Sequence, residues 1–225
     1  MYSKFKNEPM TDFTDTRNKL AMEDALKAFD LEKGKHFPLI INGEEIDTQD
    51  KIISINPSNP TETIGTTAKA NTELAEKAMK AALNAFESWK NVEPKQRAEY
   101  LFKLAEIMRK RKFEFSAVLV EEVGKTWIEA DADTAEAIDF LEFYGQQMLQ
   151  YAKGMPVSPI SGEDNECIYI PLGVGIIIAP WNFPLAILVG MTASAIVTGN
   201  TVIVKPSSNA LIIAGKFMEL LKEIQ

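Results

Sequence analysis

The sequence predicts an α/β fold in which hairpin strands and helices lead into the start of a doubly wound parallel sheet. Two observations carry this. From Gly175 the chain alternates short apolar runs (IIIA, TVIVK) with longer ones (LAILVGMTASAIV, ALIIAGKFMELLKEI). That β-α-β-α order, with strands apolar toward both faces, is the pattern of parallel strands covered by helices. Between residues 71 and 153, apolar residues instead recur every three or four positions, as in helices with one buried stripe. Residues 173–225 hold only two strands of the parallel sheet, so the unit is expected to be incomplete, with an edge left uncovered.

Taken in order, residues 1–36 read as an N-terminal arm, charged and weakly periodic, with a helix over 16–29 that groups Leu20, Ala25, Leu26 and Phe29. Residues 37–153 read as a hairpin followed by four helices. FPLIINGEEI (37–46) places Asn42-Gly43 between two apolar runs, and a type I′ hairpin turn needs positive φ at both central positions. KIISINPSNPTETIG (51–65) alternates and then meets two Asn-Pro steps, which predicts extended structure followed by loop. Asn71 can cap a helix carrying Leu74, Ala78, Ala82, Phe86 and Trp89 on one face. Pro94 suits the first turn of the next, whose stripe is Ala98, Leu101, Leu104, Ala105 and Met108. The RKRK run at 109–112 suits a helix C-terminus electrostatically; an anion site is the other reading. Gly124 and Gly154 can take the left-handed cap that ends helices over 113–123 and 126–152. Residues 154–172 then read as a long β hairpin joined by Ser-Gly-Glu-Asp-Asn.

Composition narrows the function. The 225 residues are 46% hydrophobic and 25% charged, enough for a real core, and the net charge of −8 argues against a nucleic-acid or anionic-membrane surface. One histidine, His36, and one cysteine, Cys167, leave no metal-ligand cluster, no His-based triad and no internal disulfide. Cys167 has no neighbouring His or helix N-terminus to activate it and reads as structural. The apolar runs 168–179 and 185–197 are shorter than the ~20 residues of a membrane helix, and MYSKFKNEPM lacks a signal-peptide core. The chain is expected to be soluble and cytoplasmic.

The chemistry-bearing residues gather late. GVG at 173–175 precedes a strand, whereas a dinucleotide fingerprint needs its glycines between strand and helix. The Pro-Trp-Asn-Phe-Pro turn (180–184) does follow a buried strand, where open α/β sheets collect ligands. Asn182 there is either a turn residue bonded to its own backbone or an oxyanion donor held rigidly by its neighbours. Lys205 closes the next strand at the same edge and either snorkels to solvent or meets a ribose hydroxyl or phosphate. Glu136 shares a helical stripe with Ala132, Phe140 and Phe143; the residues alone favour an edge position over a cation contact.

GIIIAPWNFPLAI together with GNTVIVKPSS resembles the aldehyde dehydrogenase superfamily, and INPSNP, AFESWK, RAEYLFKLAEIMRKRK and EEVGK resemble its N-terminal half. The N-terminal arm, PLIINGEEI and EADADTAEAIDFLEFY look most like the branch that oxidises L-glutamate γ-semialdehyde, formed from Δ1-pyrroline-5-carboxylate, to L-glutamate in proline and arginine catabolism. The resemblance implies the start of a dinucleotide-binding domain at 173–225 and an oligomerisation-type β arm at 154–172 in a homo-oligomer. It implies that Asn182 is the oxyanion-hole amide, that Ile178, Ala179, Pro180 and Trp181 line NAD, and that Lys205 contacts the adenosine ribose. Ser208 falls where many members carry a Glu that repels a 2′-phosphate, which leaves NADP possible. Glu136 would meet the substrate's α-amino group and Phe183 its aliphatic chain. The family's nucleophilic Cys and deacylating Glu lie downstream of Gln225, so these residues alone are expected to be inactive; a non-catalytic homologue that binds dinucleotide or a full-length subunit is the alternative.

Overall fold

The computed structural model describes residues 4–224. Fourteen elements follow the order α1 (Thr16–Asp30), β1 (Lys35–Phe37), β2 (Leu39–Ile41), β3 (Glu44–Ile46), β4 (Lys51–Asn56), β5 (Asn59–Ala68), α2 (Thr72–Trp89), α3 (Pro94–Lys110), α4 (Lys112–Val123), α5 (Trp127–Tyr151), β6 (Val174–Ile178), α6 (Ala186–Val197), β7 (Thr201–Lys205) and α7 (Ile212–Lys222).

The β2–β3 hairpin forms on Asn42-Gly43 with φ of 54° and 78°, as the turn chemistry requires. The segment read as loop after residue 56 is instead the ten-residue β5, the middle strand of a sheet ordered β1-β5-β4. The two prolines did not end the sheet. Pro57 falls in the turn, and Pro60 opens β5 where its pairing with β4 is irregular and β1 has not yet begun.

α2 starts on Asn71, which accepts from the Leu74 N–H at 2.9 Å. α4 ends on Gly124 at φ 69°, and α5 starts with a reciprocal Thr126–Glu129 capping box. The stripe of α3 is fully buried, and with α4, α5, α6 and α7 it forms one core. Each cation of the RKRK run has a protein carboxylate: Arg109 pairs with Glu8 and Glu142, Lys110 with Glu106, Arg111 with Glu114 and Glu223, and Lys112 with buried Asp131. They fasten elements together and leave no charge for an anion site. The N-terminal arm is clamped by the same means, Thr11 donating to Asp131 from N–H and Oγ1 at 2.8 and 2.5 Å.

Residues 154–172 do not form the regular hairpin expected. Among the described residues their one pairing is an isolated bridge between Met155 and Cys167, and the segment is exposed almost throughout. Without a sheet to lie against, its apolar residues gain nothing from strand geometry. β6 and β7 pair in parallel as expected. Their burial departs from the expected two-sided coverage: Ile177 is buried while Ile176 and Ile178 are 54% and 64% exposed. No helix among the described residues is long and apolar enough to cross a membrane.

Candidate active site at the strand ends

β6 and β7 run in register from Val174 opposite Thr201 to Ile178 opposite Lys205. Their carboxyl ends therefore stop at one level, and the Ala179 N–H donates to the Lys205 carbonyl at 3.3 Å just beyond them. The 180–184 turn and Lys205 share the edge where ligands collect in open α/β sheets.

Pro180 and Pro184 fix φ at both ends of the turn, and buried Ala179, Pro184 and Leu185 anchor it. Trp181, Asn182 and Phe183 are left exposed between them. The Asn182 amide has no hydrogen-bond partner among the described residues, so it is not used to tie off its own turn. Lys205 is likewise exposed with no ion pair among the described residues, and Ser208 is exposed just beyond it.

Glu136 lies on the exposed side of α5. Partial desolvation pushes its carboxyl above the usual range, Asp133 and Asp139 add to this, and Lys125 opposes it. Lys125 also connects α5 to the turn. Its ammonium lies 2.9 Å from Asp133 Oδ2 and 4.0 Å from the centroid of the Phe183 ring. The structure thus sets the Phe183 ring against the Lys125 ammonium, whose charge also acts on the Glu136 carboxyl, and places Lys205 at, and Asn182 and Ser208 beyond, the aligned strand ends. Cys167 is exposed in the 154–172 segment, at the amino-terminal side of β6. A cavity of about 550 Å³ also opens there, lined by Val92, Arg97, Met148, Ile168 and Ile170, away from the turn.

Two residues, Asp133 and Glu122, escaped the sequence reading. α6 and α7 follow Leu185 and Leu211, neither of which caps its helix through a side chain. Their first amides are bound by distant carboxylates instead. Asp133 Oδ1 accepts from Ala186 N–H at 2.7 Å. Glu122 Oε1 accepts from Leu211 and Ile212 N–H at 2.7 Å each and from Ser54 Oγ at 2.9 Å, and Oε2 accepts from Ile213 N–H at 2.8 Å. Burial pushes both carboxyls up and these donors pull them back. The available signal was the start at Leu185, with no Ser, Thr, Asp or Asn in position to cap it; at the second start Asn209 stands ready in the sequence, but α7 begins after Leu211 and Asn209 does not cap it.

Residues 45–225 match the family model described as the aldehyde dehydrogenase family. The chain belongs to that family. It is 56% identical over 223 residues to the 1-pyrroline-5-carboxylate dehydrogenase of Geobacillus sp. (strain WCH70), covering 99% of this chain and 43% of the relative. Among solved structures it superposes with a TM-score of 0.96 on the Thermus 1-pyrroline-5-carboxylate dehydrogenase with bound NAD, at 47% identity, covering 99% of this chain and 43% of that one. The same score relates it to proline utilization A from Bdellovibrio bacteriovorus, at 41% identity and covering 98% and 23% of the two chains. This aldehyde dehydrogenase chain therefore spans less than half the length of the curated relatives it matches.

Proposed function

We propose that the chain forms the N-terminal part of an NAD(P)-dependent aldehyde dehydrogenase that oxidises L-glutamate γ-semialdehyde to L-glutamate in proline and arginine catabolism. The observation that carries this is the exposed Asn182 amide, unpartnered among the described residues, on a turn fixed at both ends and level with Lys205. In this reading Asn182 donates to the oxyanion that develops as the aldehyde carbon is attacked. Phe183 packs on the substrate's aliphatic chain, and Glu136 meets its ammonium.

The strand ends suit a dinucleotide. Exposed Ile178 and Trp181 offer apolar surface beside Ala179 and Pro180, and Lys205 offers an unpaired ammonium to a ribose hydroxyl. Because Asp133 and Glu122 occupy the amides that open α6 and α7, the diphosphate belongs over the strand ends rather than on either helix N-terminus. Bound there, the nicotinamide supplies hydride acceptance. Ser208 sets no carboxylate against a 2′-phosphate, which leaves NADP open beside NAD. A cytoplasmic location and homo-oligomerisation through residues 154–172 belong to the same proposal. Exposed Ile160, Ile168, Ile170 and Leu172 support the oligomer.

In protein carrying the family's complete catalytic set, Glu136→Ala impairs turnover of glutamate semialdehyde far more than that of a simple alkyl aldehyde. Equal losses on both would remove the amino-group contact. Asn182→Ala there lowers kcat by about 10²–10³, as losing one oxyanion donor does; an unchanged kcat would make Asn182 a turn residue only.

A further inference from the structure

The turn that bears Asn182 and Phe183 is gripped from outside its own sequence. Its upstream end is fixed by the Ala179 N–H on the Lys205 carbonyl at 3.3 Å. Its downstream end is held locally only by the Ile187 N–H on the Phe183 carbonyl at 3.2 Å, because α6 opens with no side-chain cap. There Asp133, completely buried on α5, accepts from the Ala186 N–H at 2.7 Å. Its second oxygen takes the Lys125 ammonium at 2.9 Å, and that ammonium stands 4.0 Å from the Phe183 ring centroid.

One cation therefore does two things. It neutralises the buried carboxylate holding the end of the turn, and it attracts the face of an aromatic ring inside the turn. A buried ion pair is a weak source of stability, since two well-packed apolar side chains would serve as well. Apolar side chains would not, however, accept a hydrogen bond from a helix-opening amide while drawing the Phe183 ring to a fixed place. The polar pair sets geometry in a way packing alone does not.

We propose that Lys125 and Asp133 are positioning residues for the 180–184 turn, holding the Phe183 ring directly and, through the backbone of the residue before it, setting the direction of the Asn182 amide. This rests on the reading of Asn182 and Phe183 given above. Neither Lys125 nor Asp133 is a catalytic residue, as each acts through the turn.

The test is NMR of the 225-residue chain with labelled Asn side chains and Phe rings, in the variants Asp133→Asn, Lys125→Met, Lys125→Arg and the double variant Asp133→Asn/Lys125→Met. In Asp133→Asn the new amide cannot both accept from Ala186 and face an ammonium. Exchange of the Ala186 amide accelerates about 10- to 100-fold, the loss expected for a hydrogen bond to a charged group, and the Asn182 and Phe183 resonances move. Lys125→Met moves the same resonances, and Lys125→Arg, which keeps the cation, restores them. The double variant restores slow exchange, because an amide oxygen can bind Ala186 once the ammonium is gone, but leaves the Phe183 ring displaced.

Unchanged Asn182 and Phe183 resonances in Lys125→Met would overturn the proposal. Shifts spread evenly over α5 and α6, the pattern of a general packing loss, would overturn it too. If one single variant does not fold, Lys125→Arg against the double variant gives the same comparison. The functional reading fails separately, through unchanged kcat in Asn182→Ala with the resonance pattern intact.

Discussion

α2 and α5 carry their own caps, Asn71 accepting from Leu74 N–H and Thr126 exchanging bonds with Glu129, whereas α6 and α7 begin behind leucines and borrow Asp133 and Glu122 from α5 and α4. The first pair of helices is specified within four residues of its ends. The second is specified across 53 and 89 residues of chain. The helical layer is thus more than a cover for the parallel strands, since its buried carboxylates set where the helices after β6 and β7 begin. Those helices begin where the turn carrying Asn182 and the segment carrying Lys205 and Ser208 end.

The comparison breaks most readily at Glu122. Glu122→Ala strands three buried N–H groups and the Ser54 hydroxyl, and a loss of about 3–5 kcal/mol is expected in urea unfolding, several unmade buried bonds at 1–3 kcal/mol each being only partly rescued by relaxation. Gly190→Ala comes next. A Cβ there would stand 2.7 Å from the Phe140 ring, forcing α6 off α5 at an overpacking cost of about 1–3 kcal/mol. Amide exchange at Ala186 should accelerate with it, because the Asp133 bond crosses the same interface. Asn71→Ala, which removes a local cap, should cost only about 1 kcal/mol. Equal losses for Asn71→Ala and Glu122→Ala would erase the distinction between local and borrowed caps.

The smallest expected effect is in acid. Although burial works against it, Arg111 and Lys216 hold the Glu114 carboxyl below its ordinary value of 4.5. A carboxyl lowered in the folded state contributes stability that is present above its unfolded value and lost as pH falls through the folded one. Glu114→Gln should therefore flatten the decline in stability below about pH 4.5, the ordinary value from which the titration starts. An unchanged acid profile would show that the Arg111–Glu114–Lys216 cluster contributes no linkage.

Much of the fold was legible because it is local. Asn42-Gly43, Asn71, Pro94 and Gly124 each announce a backbone conformation or a donor that a neighbour satisfies, and all four act as their chemistry requires. Misreadings arose where strand pairing overrides what the local residues signal. β5 was hidden by Pro57 and Pro60, whose local meaning is a break, while its ladder is supplied by β4 and by the parallel β1. The 154–172 segment has a hairpin's pattern, but among the described residues its pairing is confined to the Met155–Cys167 bridge.

The site divides in the same way. Asn182 and Lys205 could be placed at one sheet edge from strand order alone, because parallel strands joined by a helix end on the same side. Glu136 could not be drawn toward Phe183 by any spacing, since the link is Lys125, reaching from the loop before α5 to a ring 58 residues on. The sequence by itself determined the order of strands and helices, the stiffness of the turn and the polarity of what it exposes, all properties of contiguous residues. Only the tertiary structure decided which buried charges hold that turn in place. An Asp among alanines reads as any helical Asp until packing removes water from it and leaves Lys125 and a helix-opening amide as its partners.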